Sequence, residues 1–173
     1  MADSSSEIRQ QLEVHIGDAA GPHYGWDAVN QAMIRHWCEA MGDTNPAYFE
    51  SEYSSAQGGV QAPPTMMQAW TMPGFGGEFK QGSDTRNPMG VKDRLETLGY
   101  TAVVAVNCDQ DYFLPIKDGD NIHSSTRIDS ISEEKQTALG DGFFVTQLTD
   151  YFNQDDEKVG SMSFRILLYK PRG

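Results

Sequence analysis

Cysteine is nearly absent, with only Cys38 and Cys108 in a chain of 173 residues. They allow at most one bridge, and a chain of this length buries enough surface to fold without it. Both thiols are therefore expected to be reduced and buried. Basic charge is scarce as well: Lys and Arg number 13 against 25 Asp and Glu, for a formal net charge of −12. No stretch gathers the cations that a nucleic-acid backbone or an anionic bilayer requires, so neither is expected as a partner. Long apolar runs are missing too. Ala102 to Val106 is far too short to span a bilayer, and the first residues carry neither the basic nor the apolar segment of a secretory signal. The chain reads as cytoplasmic.

Several chemistries lack their residues. His15, His23, His36 and His123 are scattered, and His36 with Cys38 is an i, i+2 pair that would point to different helix faces, so no metal is expected. Gly74, Gly76 and Gly77 follow a helical segment rather than a strand and precede no Gly-Lys-Ser/Thr, which argues against a phosphate loop. There is no Gly-x-Ser-x-Gly elbow for a serine hydrolase and no Cys-x-x-Cys for thiol redox work. No cofactor is called for.

What is present reads as one domain over residues 1–173. Ser5 or Ser6 caps a short helix with Ile8, Leu12 and Ile16 at four-residue spacing, stopped by Gly17. Gly21, Pro22 and Gly25 mark a loop. Ile34, Trp37, Cys38 and Met41 then repeat at i, i+3, i+4 and i+7, the pattern of an amphipathic helix that Gly42 caps. Asp43-Thr44-Asn45-Pro46 is a turn, and the following loop carries Tyr48 and Tyr53. Thr65 to Met72 is a mostly apolar helix that Pro73-Gly74 cuts to about two turns. Its Met66, Met67, Trp70 and Met72 suit a core, or the lining of a wide apolar cavity. Gly74 to Gly90, which includes Pro88, has no periodicity and reads as a functional or disordered loop before a short helix at Val91 to Leu98.

Strands fill the second half. Thr101 to Val106 is apolar and rich in branched residues, the pattern of a strand buried on both faces. Ile122, Ser124, Thr126 and Ile128 alternate with other residues, and Phe143 to Phe152 and Met162 to Tyr169 are joined by a polar 153–158 stretch suited to a hairpin. The expected fold is α+β, an antiparallel sheet against one buried helix.

The segment from Ile34 to Tyr48 resembles the signature of the MaoC-like hydratases: a helix ending in Gly-Asp, then Asn-Pro, then a histidine five residues after the aspartate. In that family the Asp and His hold and activate the water added across an enoyl-CoA double bond. Asp43, Asn45 and Pro46 match, while Tyr48 stands in place of the histidine. Val60-Gln61-Ala62-Pro63-Pro64-Thr65-Met66 falls where the family has Ala-His-Gly opening its central helix. The resemblance implies a hot-dog fold, its sheet wrapped around a central helix that is shortened here. Read alone, Asp43 is a turn-former; within the longer match it is the relic of a catalytic turn. A phenol with a reference pKa near about 10 is a poor base at neutral pH. Pro64, aligned with the glycine whose amide would face the thioester oxygen, has no N–H to give; if the alignment shifts by one, Thr65 donates instead.

Over nearly the whole length the chain resembles the MaoC-like domain of the larger subunit in heteromeric steroid side-chain enoyl-CoA hydratases, through residues 62–72, Gln136-Thr137-Ala138-Leu139-Gly140 and Arg165-Ile166-Leu167. That resemblance implies a non-catalytic subunit that builds one side of a bulky acyl-CoA pocket, beside a homologous small subunit carrying the Asp/His pair. Tyr48, Pro64, Thr65, Met66 and Trp70 are the candidate substrate-binding residues, with Lys92 and Arg94 as local cations for CoA phosphates. The family's larger subunit adds a C-terminal OB-fold region that docks a thiolase-like aldolase, and Lys170 to Gly173 falls where that linker would begin. Two alternatives stay open: an acyl-CoA binding or scaffold module that docks the aldolase, and a homomeric hydratase using Asp43. The strand near Val103 is the expected face of association.

Overall fold

The computed structural model describes residues 5–86 and 89–172; Pro88 and Gly173 fall outside them. An antiparallel sheet in the order β1-β3-β5-β6-β2 is built from β1 (Ala19–Tyr24), β2 (Ala102–Tyr112), β3 (His123–Ile131), β5 (Gly140–Phe152) and β6 (Lys158–Pro171), with the two-residue β4 (Lys135–Gln136) beside β5. Four α-helices accompany it: α1 (Ser5–Glu13), α2 (Gln31–Met41), α3 (Glu52–Ala56) and α4 (Gly90–Thr97). Short 3-10 helices span Pro46–Tyr48 and Pro64–Thr71.

β5 and β6 form the hairpin expected from the polar connection, and they pair along nearly their whole length. Side chains alternate across a strand, so every second residue faces the same side. On one side lie Ser124, Thr126 and Ile128 of β3, Phe143, Val145, Thr149 and Tyr151 of β5, and Met162 and Leu168 of β6, all buried. The helices cover this side at its two ends. At one end Ile34 and Cys38 of α2 and Met66, Met67 and Trp70 of the central 3-10 helix pack with Tyr151, Val159 and Met162. At the other, Ile8 and Leu12 of α1 and Val91 and Leu95 of α4 pack with Tyr100, Ile128, Phe143, Val145 and Leu168. Each of these fully buried side chains contributes about 1.5–3 kcal/mol by leaving water. Between the two clusters the face is not filled.

Several expectations need correction. The Gly21-Pro22 stretch is not a loop but part of β1, paired with β3 through a register irregularity between Ala20 and His23. An edge strand tolerates a residue without an N–H, so the proline does not exclude pairing. The outer edge of β1 is covered by part of the Gly74 to Gly90 loop itself: Asp84 N–H donates to Pro22 O at 2.9 Å, Gly21 N–H to the Asp84 carboxylate at 3.0 Å and Tyr24 N–H to Ser83 Oγ at 2.9 Å. Hydrogen bonds from Arg86 hold the Asp84 carboxyl well below the usual carboxylate range.

β2 is the larger departure. Its run of branched residues suggested burial on both faces, yet it is an edge strand paired only with β6, and Val103, Val104 and Val106 are 51%, 36% and 45% exposed. Cys108 on the same strand is exposed, so only Cys38 meets the expectation for the thiols. Met41, Met72 and Ile16 also lie at the surface, each at the end of an apolar stripe where the covering elements stop. The segment after Pro46 is partly helical rather than a plain loop, with Ser51 and Ser54 forming a capping box for α3.

Candidate functional site

The turn at Asp43 is set by α2. Asn30 caps the start of that helix through a hydrogen bond from Met33 N–H, and Gly42 ends it in the left-handed conformation at φ 67°. Asp43 N–H then donates to Cys38 O at 2.9 Å. One Asp43 carboxylate oxygen accepts from Asn45 N–H at 3.0 Å, and Asn45 Oδ1 in turn accepts from Ala47 N–H at 3.0 Å. These successive turns place Pro46 at the start of its 3-10 helix and set Tyr48 against the core.

The electrostatics of the turn run one way. Burial pushes the Tyr48 phenol above its ordinary value, and the Asp43 carboxylate adds to the push. Burial, reinforced by Asp43, likewise raises the Cys38 thiol. Both neighbours of the carboxylate are thus weak acids that stay protonated at neutral pH. A general base needs a pKa near the working pH, and neither group has one.

The second half of the candidate site adjoins the first. Gln61 N–H donates to Ala47 O at 2.9 Å, and Ala62 N–H to Ile116 O at 2.8 Å, so residues 60–62 run between the turn and the 115–118 segment. Pro63 and Pro64 then open the central 3-10 helix. Pro64 and Thr65 are both exposed there. The first N–H groups of a helix lack partners within it, and with proline at position 64 the first such amide is that of Thr65. Pro64 also lines a cavity of about 180 Å³ between the helix start and Tyr112 to Ile116, just beyond the end of β2.

A larger cavity, about 300 Å³, occupies the gap between the two core clusters. Its floor is the sheet, with Ser124 and Thr126 of β3, Gln147, Thr149 and Tyr151 of β5, and Met162 and Phe164 of β6. His23 and Phe79 form a wall, and Thr71, Met72 and Pro73 mark where the central helix breaks off. The helix stops at Thr71 because Pro73 cannot continue it. The cavity is the volume that another turn or two would fill.

The structure places Asp43, Asn45 and Tyr48 on one turn, linked through the Gln61 N–H to Ala47 O bond to the segment that leads to Pro64 and Thr65, while only Pro64 of these five lines a described cavity. Two expected wall residues behave differently. Met66 is fully buried in the core and lines neither cavity, because the three-residue repeat of the helix turns it toward Ile34 and Tyr151. Trp70 is mostly core and reaches only a third, smaller hollow with Trp26 and Met33. Lys92 is paired with Glu96 at 2.6 Å, and Arg94 is bonded to Gln11, both on α4 at the opposite end of the sheet face from Pro64. Sequence reasoning missed the cavity floor. Its signal was the polar character of Ser124 and Thr126 in the same phase as the buried Ile128. Among the described residues no group of three or more metal-ligating side chains comes together, and no helix is long and apolar enough to cross a membrane.

Comparison with known proteins agrees with this architecture. Residues 15–162 match the family model described as FAS1-like, dehydratase domain region. A Thermomonospora curvata protein named probable enoyl-CoA hydratase alpha subunit is 39% identical over 172 residues, covering 98% of this chain and 54% of that protein. The 3-oxo-4,17-pregnadiene-20-carboxyl-CoA hydratase alpha subunit of Mycobacterium tuberculosis is 37% identical over 172 residues, covering 97% of this chain and 54% of its own length. The chain therefore spans about half the length of the curated relatives it matches. A chain in the crystal structure of the ChsH1-ChsH2 complex from Mycobacterium tuberculosis superposes with a TM-score of 0.82 at 37% identity, covering 98% of this chain and 93% of that one. By its sheet, its broken central helix and matches that span nearly all of this chain, the chain belongs to the FAS1-like dehydratase region family of MaoC-like hot-dog proteins.

Proposed function

We propose that this chain is the non-catalytic, pocket-forming subunit of a heteromeric enoyl-CoA hydratase that acts on a bulky, steroid side-chain type of acyl-CoA. The observation that carries the reading is the pairing of a turn without its histidine and a cavity without its helix. Asp43 is flanked by Tyr48 and Cys38, both held protonated, so neither neighbour of the carboxylate is able to take a proton from water as a histidine would. The cavity over the sheet, about 300 Å³, lies at the lower end of the size range of small-molecule sites.

Support for a partner comes from the sheet edges. The β1 edge is covered by Ser83 and Asp84, whereas no strand among the described residues pairs with the outer edge of β2. Exposed backbone donors and acceptors beside Val103, Val104 and Val106 are what an added strand would satisfy. The cavity next to Pro64 ends at Tyr112 and Phe113, close to that edge, so a subunit docked on β2 stands beside both Pro64 and Thr65. That subunit supplies the Asp/His pair and the cations for the CoA phosphates, since Lys92 and Arg94 are engaged elsewhere. We read the described residues, 5–86 and 89–172, as one domain.

The test is reconstitution. The purified chain, the partner subunit and their mixture are assayed for hydration of a steroid-type enoyl-CoA and of crotonyl-CoA. Activity in the mixture alone, with preference for the steroid-type thioester, is expected; turnover by this chain alone that falls with Asp43→Ala would instead establish a homomeric hydratase.

A further inference from the structure

The floor of the larger cavity is more polar than an apolar ring system needs. His23 and Ser124 are cross-strand partners in the β1–β3 register, which puts their side chains next to each other on the same face. Both line the cavity, and both are buried, at 7% and 4% exposure. His23 Nε2 is enclosed and has no hydrogen-bond partner among the described residues. The ring's hydrogen bond is to the Asp84 main chain, and Phe79 stacks on it with centroids 4.5 Å apart. Nearby, the Thr126 and Thr149 hydroxyls bond each other at 2.9 Å and so satisfy their own needs. Buried polar groups almost always have partners, and an enclosed nitrogen that lacks one calls for an explanation.

A core position facing only hydrocarbon gains nothing from an imidazole. Burial keeps the ring neutral, so one ring nitrogen can accept a hydrogen bond while the other donates. The Ser124 hydroxyl both donates and accepts. With the ring proton turned to the Asp84 main chain, Nε2 is an acceptor, so a hydroxyl entering between the two side chains donates to Nε2 and accepts from Ser124, whereas a ketone accepts from Ser124 alone. Phe79, which stacks on the face of the His23 ring from the glycine-rich segment, leaves the in-plane lone pair of Nε2 unpaired.

We infer that His23 and Ser124 form a polar subsite that binds an oxygen substituent on the ring system of the acyl group, at the part of the cavity beneath Phe79. This rests on the reading of the cavity as the acyl pocket. The subsite makes the chain a determinant of ring-oxygen specificity, separate from the chemistry at the double bond.

The experiment uses the chain in complex with its partner subunit and three saturated steroid-20-carboxyl-CoA thioesters, which bear a ring ketone, a ring hydroxyl or no ring oxygen. Calorimetry is expected to show the better of the two oxygenated thioesters binding roughly tenfold tighter than the deoxygenated one, about the worth of one well-placed buried hydrogen bond. In His23→Phe, which retains the stack on Phe79, and in Ser124→Ala, that advantage shrinks to within about twofold. If a variant does not fold, nitrogen NMR of the His23 ring in the parent complex decides the point. The Nε2 resonance moves with the hydroxyl-bearing thioester and stays with the deoxygenated one. Equal binding of all three thioesters, or an Nε2 resonance indifferent to the ring hydroxyl, overturns the subsite alone. Failure of all three to bind overturns the acyl-pocket reading and the subsite with it.

Discussion

Gly160 of β6 lies directly beneath Met67 of the central 3-10 helix: a Cβ on Gly160 would overlap the Met67 sulfur and stand 2.7 Å from the Asp111 carbonyl oxygen. The Met67 side chain can turn aside, whereas the Asp111 carbonyl belongs to the β2 backbone and can give way only if the strand moves. Gly160→Ala therefore forces β2 outward. Overpacking of this kind costs about 1–3 kcal/mol, and urea denaturation of the chain is expected to show a loss in that range.

The Asp43 carboxylate is committed to its turn through the Asn45 N–H. Asp43→Ala is expected to lower stability by about 0.5–1.5 kcal/mol, the usual worth of such a bond. Hydration by the assembled complex should stay within a few-fold of the parent. A loss of about 10²-fold or more, the scale of a missing general base, would place Asp43 in the chemistry.

Restoring a histidine should not restore activity. Tyr48→His alone is expected to leave the isolated chain inactive, because Pro64 still withholds an amide where losing one oxyanion donor costs about 10²–10³-fold. Tyr48→His combined with Pro64→Gly is the pairing in which a trace of hydration is expected, read by a coupled dehydrogenase assay.

Burial holds the His23 imidazole below the ordinary histidine range, against the pull of the Asp84 carboxylate and main chain. The unfolded chain therefore takes up a proton at His23 at a higher pH than the folded one does. The stability this site contributes is complete above the unfolded value near about 6.5 and is lost as pH falls from there toward the depressed folded value. Urea midpoints measured from pH 8 to pH 5 should fall less steeply on the acid side in His23→Phe than in the parent.

Lysine in place of Val104 and Val106 on β2 puts charge on the bare edge while leaving the core untouched, since both residues are exposed. Association with the partner is expected to weaken by at least about tenfold in sedimentation, with the melting temperature of the isolated chain unchanged within error. An unaltered complex would move the interface elsewhere.

The sequence revealed more of the fold than of the site. The β5–β6 hairpin was legible because its polar connection interrupts two long apolar segments, and α2 because its apolar spacing has a single period. β1 was not, since Gly21 and Pro22 signal a turn wherever they occur and only the neighbouring β3 shows that this edge accepts them. The valines of β2 were seen correctly as a strand and wrongly as covered. A run without alternation marks a strand that will lose contact with water, and the pattern is the same whether its own chain or another supplies the cover. The Asp43 to Tyr48 turn could be read residue by residue. The cavity floor could not, because Ser124, Thr126 and Gln147 come together only when three strands are in register.

The unequal treatment of the two sheet edges sets a valence. With Ser83 and Asp84 occupying the hydrogen-bonding groups of β1, each chain can be extended by a neighbouring sheet on one side only. A partner docked on β2, as proposed, would close the remaining edge, and sheet-to-sheet growth would then end with the pair.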